Sequence, residues 1–204
     1  MSEIRFLEEA TGDRWTGVRL LHSTASDSTG QPMRLCEAVA VSFNRRVALS
    51  SDRLACPGAR RSLALDEDDE GLALQMSEKA GMPVRFARQI IAERPRLETA
   101  PQALVLGDIE EPDALVGHLE PLAAMKVLRL WQGHFGTRLH VELSGFLAVC
   151  SCMAAGVRLE RLCLSLGCPD SREYGAIPPT KLVAVLPIGL AGELAQRRKE
   201  HANV

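Results

Sequence analysis

Leu182-Val183-Ala184-Val185-Leu186-Pro187 reads as a strand that is apolar on both faces. A run this short, free of charge and rich in valine, has strand length and strand composition rather than those of a helix. Such a strand needs cover on both sides, so helices must flank the sheet. Immediately after it, residues 188–201 read as a helix ending in basic residues, as its dipole prefers. Residues 103–107 form a second buried strand by the same reading. Shorter strands are expected at 17–21, 47–50, 127–131 and 162–166, and helices at 4–10, 33–43, 56–63, 72–79, 84–93, 113–124 and 144–155. The polar run 23–31 reads as a loop. Strands and helices therefore mix, and the expected class is α/β or α+β. The expected form is a single compact domain over 1–204, with a mixed sheet covered by helices and room for a helical sub-lobe at about 68–98.

Composition narrows the function. At 204 residues with 46% apolar and 25% charged, the chain can bury one substantial core. A net charge of -2, acids interleaved with bases, and only 4% aromatic residues argue against nucleic acid as a partner. No stretch is apolar for the length a bilayer requires, so no membrane partner is expected. Met1-Ser2-Glu3-Ile4-Arg5-Phe6 lacks a basic segment followed by an apolar one, and a cytoplasmic location is the expectation. Neither a GxGxxG or Walker pattern nor a GxSxG elbow occurs, which disfavours nucleotide-dependent and α/β-hydrolase chemistry.

The chemistry-bearing signal is cysteine. Cys56-Pro57-Gly58-Ala59-Arg60 and Cys168-Pro169-Asp170-Ser171-Arg172 repeat one pattern, Cys-Pro-x-x-Arg. Proline is favoured at the first position of a helix, so each cysteine belongs at or just before a helix start, where backbone N–H groups stabilise a thiolate. Arg60 and Arg172 would add positive potential just outside the ligand set. Cys36 falls in the opening turn of the helix after Pro32, and Cys152 lies on the small-residue helix at 144–155, beside Cys150. Six cysteines in a reducing compartment are free, metal-bound or catalytic more often than disulfide-bonded. Cys163, alternating with Leu162, Leu164 and Leu166, reads as a packed residue. His134, His140 and Glu142 gather loosely around a glycine-containing loop, and lone histidines at such spacing are usually surface or core residues.

Four stations, Cys36, Cys56, Cys152 and Cys168, suffice for an iron–sulfur cluster, of four-iron four-sulfur type in the first instance, or for tetrahedral zinc. The absence of a Cys-x-x-Cys pair means that tertiary structure must assemble the site. Cys150 can stand in for Cys152. Two other readings stay open: a thiol-dependent oxidoreductase with reactive Cys56 and Cys168, and a module that binds an anion or small molecule at the Cys-Pro helix starts.

The order of these stations resembles a known family. Cys36 on a helix, Ala55-Cys56-Pro57-Gly58-Ala59 after it, the Cys152 helix, then Leu166-Gly167-Cys168 before a strand ending Leu-Pro-Ile look like the uncharacterised prokaryotic family called domain of unknown function one hundred and sixty-nine. The resemblance runs from about Gly17 to Leu194. It implies that cysteines at the four stations recur together, and it supplies no reaction. The expected function is thus a cysteine-ligated iron–sulfur protein acting in electron transfer, redox sensing or metallocentre assembly, not in independent substrate turnover. Its partner would be a redox protein or metalloenzyme. The small-residue helix at 144–155 leaves open whether it packs in the core or joins a second copy in a homo-oligomer.

Overall fold

In the computed structural model, which describes residues 2–23, 31–137 and 148–202, burial with period two along the strands divides the molecule into two apolar layers around one sheet. Six strands contribute: β1 (Trp15–Leu21), β2 (Val47–Ser50), β3 (Ala103–Gly107), β4 (Ala114–Leu119), β5 (Cys163–Ser165) and β6 (Leu182–Pro187). Their order is β2-β3-β1-β4-β6-β5, and every ladder among the described residues is antiparallel. The expected combination of helices and strands in one compact unit holds, and the sheet, expected to be mixed, pairs antiparallel throughout.

The sheet's first face carries Val18, Leu20, Leu49, Leu104, Leu106, Val116, Val183 and Val185. It is covered by α2 (Leu35–Ser42), α3 (Pro57–Ser62), α4 (Asp69–Ala80), α5 (Val84–Glu93) and α7 (Ala148–Leu159). The second face carries Trp15, Leu115, Leu119, Leu164, Ala184 and Leu186 under α1 (Glu3–Thr11), α6 (Pro121–Phe135) and α9 (Ile188–Ala202). β6 alternates Val183 and Val185 toward one layer with Ala184 and Leu186 toward the other, as its unbroken apolar sequence demands. The helices α4 and α5 pack as a hairpin over the first layer, through Leu72, Ala73, Met76, Ala87 and Ile91.

Two expected elements change type. Residues 113–124, read as a helix, contain β4, and residues 127–131, read as a strand, lie inside α6. Two prolines create the ambiguity. Pro112 does not start the helix; Pro121 does, at the first helical position after Glu120. Between them, Ala114–Leu119 is sandwiched between β1 and β6 and satisfies its backbone there. Gly117 makes this possible, because a Cβ at that position would come within 2.8 Å of the Trp15 indole. The stretch from Val127 to Trp131 is then amphipathic, with Val127 fully buried and Trp131 half-buried on the second layer.

One close approach sets the position of α7. A Cβ at Gly156 would stand 2.7 Å from Val185 Cγ1, so this glycine lets the helix settle onto β6. Residues 149–155 of that helix are buried within the chain, which makes it a core helix.

Candidate functional site

On the first face, four helices bring cysteines to the wall of one cavity of about 740 Å³. Cys36 is the second residue of α2. Cys56 is the N-cap of α3, with Pro57 at the first helical position. Cys150 lies on α7, and Cys168 is the N-cap of α8 (Pro169–Glu173), again followed by proline. Each Cys-Pro pair thus does locally what proline at a helix start favours. All four cysteines are free thiols.

Backbone ties hold these segments in register. The strand-like segment before α2 bridges to the one before α3: Met33 N–H donates to Arg53 O at 3.0 Å, and Ala55 N–H to Met33 O at 3.0 Å. That fixes Cys36 relative to Cys56. At α8, Ser171 Oγ accepts the Cys168 N–H at 2.7 Å and donates to Cys168 O at 2.9 Å. Gly175, in the turn after α8, packs directly on Cys36; a Cβ there would lie 3.0 Å from Cys36 Cβ and 2.6 Å from Ser171 O. The Cys36 thiol donates to Asp170 O at 3.8 Å. Ser62, whose Oγ donates to Gly58 O at 2.8 Å, also hydrogen-bonds with Cys150.

Burial pushes the Cys36 thiol up to about 12, and negative charge at Cys56 and Cys168 adds to the rise. The same causes, burial first, hold Cys150 well above the usual thiol range. Both are therefore neutral thiols near pH 7 when no cation is present. Cys36 and Cys150 thus each feel Cys56 and Cys168.

A polar cluster sits beside the thiols. Arg34 Nη1 meets Asp170 Oδ2 at 2.7 Å, and Lys79 Nζ reaches Asp170 Oδ1 at 3.5 Å. The Arg34 guanidinium also lies 4.0 Å from the centre of the Tyr174 ring. Burial opposes its charge, but Asp170, Cys56 and Tyr174 outweigh that and raise its pKa.

The expected ligand residues fall as follows. Cys36, Cys56 and Cys168 line the cavity together with Cys150; Cys152 is buried in the first layer and is not among the described residues on the cavity wall. Two residues along a helix are about 200° apart in direction, so Cys150 and Cys152 face different sides of α7. Arg60 and Arg172 stand away from the cavity wall. Arg60 Nη1 donates to Ser51 O at 3.3 Å and its Nε pairs with Asp66 at 3.8 Å. Arg172 donates to the carbonyls of Leu166, Ile177 and Pro178, bracing the loop around α8. His134 lies in the other layer, 3.1 Å from Glu193 Oε2, while 140 and 142 and most of the 23–31 loop fall outside the described residues. Cys163, on β5, packs against the first layer while Leu164 enters the second.

Sequence reasoning missed Arg34, Lys79 and the stripe on α4. Leu72, Gln75, Met76, Lys79 and Ala80 all line the cavity, at the helical spacing that marks one face. Arg34, two residues before Cys36, was the nearest signal.

Among the described residues, no three His, Cys, Asp or Glu side chains are grouped closely enough to hold a metal ion as they stand. What fits is donor chemistry, since four thiols from four segments around one cavity match the ligand set of an iron–sulfur cluster or of zinc.

Fold and site together define a class: an antiparallel sheet between two helical layers, with a thiol-walled cavity under one of them. The chain belongs to the family of domain of unknown function 169, described as an uncharacterised ArCR, whose match covers residues 16–197. It is also 29% identical over 106 residues to an uncharacterised protein of Methanocaldococcus jannaschii, a match spanning 50% of this chain and 46% of that protein. The aligned part is thus less than half the length of that relative. No solved structure matches. No described helix is long and apolar enough to cross a membrane.

Proposed function

We propose that the chain holds an iron–sulfur cluster, of four-iron four-sulfur type, on Cys36, Cys56, Cys150 and Cys168, and works in electron transfer, redox sensing or metallocentre assembly. The observation that carries this reading is the convergence of these four thiols, from α2, α3, α7 and α8, on one cavity. Three features support it. Four sulfur donors complete a Cys₄ set with no other residue type required. Burial is the largest cause that keeps Cys36 and Cys150 protonated, and a bound metal would supply the charge that displaces those protons. Arg34, electrostatically coupled to Cys56, offsets part of the negative charge that four thiolates bring.

A bound cluster of this kind supplies one-electron transfer. The protein's part is to exclude water from the sulfurs, to orient Cys168 through Ser171, and to hold positive charge beside Cys56 through Arg34. The natural partner is a redox protein or a metalloenzyme.

Paired substitutions on one helix test the reading. Cys150→Ser should remove most of the iron and acid-labile sulfide after anaerobic purification, whereas Cys152→Ser should leave both near the wild-type level. Equal loss in the two variants, or loss in neither, would contradict the assignment. Zinc in place of iron, with the same Cys150 dependence, would keep the ligand set and change the metal.

A further inference from the structure

The cavity has a second wall that supplies no cysteine. Leu72, Gln75, Met76, Lys79 and Ala80 come from α4, which carries no cysteine. A cluster of four irons and four sulfides is only eight compact atoms, well short of filling a 740 Å³ cavity. The remaining room is that of a small-molecule site, which typically falls at about 300–1,000 Å³.

The lining says what kind of molecule fits. Leu72 and Met76 are buried side chains whose apolar surface faces the cavity, joined by Leu35, Pro57 and Ala59. Toward solvent the character changes to Gln75 and Lys79, both exposed. Asp170 is already held by Arg34 at 2.7 Å, and its longer 3.5 Å contact with the exposed Lys79 adds little. Lys79, exposed and held only by that longer contact, is the cation left for an incoming carboxylate, with Asp170 and Glu173 the acids on the same lining.

We infer that the α4 side of the cavity is a binding site for a small amphipathic anion, an apolar body lying along Leu72 and Met76 with its carboxylate at Lys79. The site goes beyond the thiol cluster, and in taking the room left beside it rests on the reading above. An apolar ligand would also exclude water from the sulfurs, which tunes the potential of a cluster.

Octanoate is a suitable probe, with octan-1-ol as its uncharged counterpart, and both are titrated calorimetrically into the full chain as purified. Octanoate should bind in the micromolar to low-millimolar range. Lys79→Glu should weaken octanoate at least fivefold and leave octan-1-ol within twofold. Gln75→Trp, at an exposed position where folding is not at stake, should fill the cavity mouth and weaken both probes at least tenfold. Absence of octanoate binding to the wild type would overturn the inference, as would equal affinity in all three proteins. Iron and sulfide are measured on the same preparations. Octanoate binding with the expected variant pattern but no metal would keep this site and sink the cluster reading, whereas a metal-loaded protein without octanoate binding would do the reverse.

Discussion

The two faces of the sheet are both covered by helices and made of different material. Under α1, α6 and α9, Phe6, Leu7, Leu115, Leu119 and Leu186 are fully buried, and no cysteine belongs to that cluster. Under α2, α3, α4, α5 and α7, Cys36, Cys150 and Cys152 are part of the core, and Cys56 and Cys163 pack against it. One layer demonstrates that this sheet can be covered without thiols. Three of the cysteines in or against the other layer, Cys36, Cys56 and Cys150, share a cavity wall with Cys168, which packing of the sheet alone does not require.

Substitutions on the two faces should have opposite effects. Serine at Cys36, Cys56, Cys150 and Cys168 together should abolish metal content while the far-ultraviolet circular dichroism stays that of a folded α+β protein. Phe6→Ala, on the opposite face, should cost about 3–5 kcal/mol of stability by leaving a cavity in a full core, with metal per folded chain unchanged. Denaturant unfolding paired with metal analysis checks both, and metal loss in Phe6→Ala beyond the unfolded fraction would erase the distinction.

Stability should also depend on pH through one histidine. His118, on β4, stacks edge-on against Phe43 at 4.9 Å between ring centres, and its Nε2 has no partner among the described residues. Burial, with Lys181 and Arg172 nearby and only Asp13 opposing them, lowers its pKa from 6.5 to about 4. The unfolded chain binds a proton there below pH 6.5 and the folded chain does not, so stability is lost as pH falls through that window. The loss should approach about 3 kcal/mol near pH 4 by this group alone. His118→Gln should flatten the dependence in urea titrations at pH 7 and pH 5; an unchanged slope would contradict it.

The smallest expected effect belongs to Cys152. Cys152→Ala should cost about 1 kcal/mol, the scale of removing a small buried group, with iron and sulfide retained. Larger metal loss here than at Cys150 would reverse the assignment of α7's faces.

Legibility in the sequence follows the reach of each constraint. The residues 103–107 and 182–187 are apolar runs of strand length, and the structure's β3 and β6 have those bounds. The Cys-Pro pairs were legible as helix starts because proline fixes the first turn locally. β4 and α6 were misread because Pro112 and Pro121 offer equivalent local starts, and only pairing of Ala114–Leu119 with β1 and β6 decides between them. The choice between Cys150 and Cys152 was illegible for a related reason: both lie on an apolar helix, and its rotation is set by the distant contact of Gly156 with Val185. The α4 wall was hidden because its residues carry no distinctive chemistry until the fold sets them in one cavity with the thiols.

What the wild-type chain carries when purified decides most directly whether the four thiols hold a cluster. Anaerobic purification followed by iron, acid-labile sulfide and zinc analysis, with an ultraviolet–visible spectrum, should find about four iron and four sulfide per chain and a brown protein, as a four-iron cluster requires. A colourless chain free of metal under those conditions would contradict the cluster and leave the thiol-walled cavity to another chemistry.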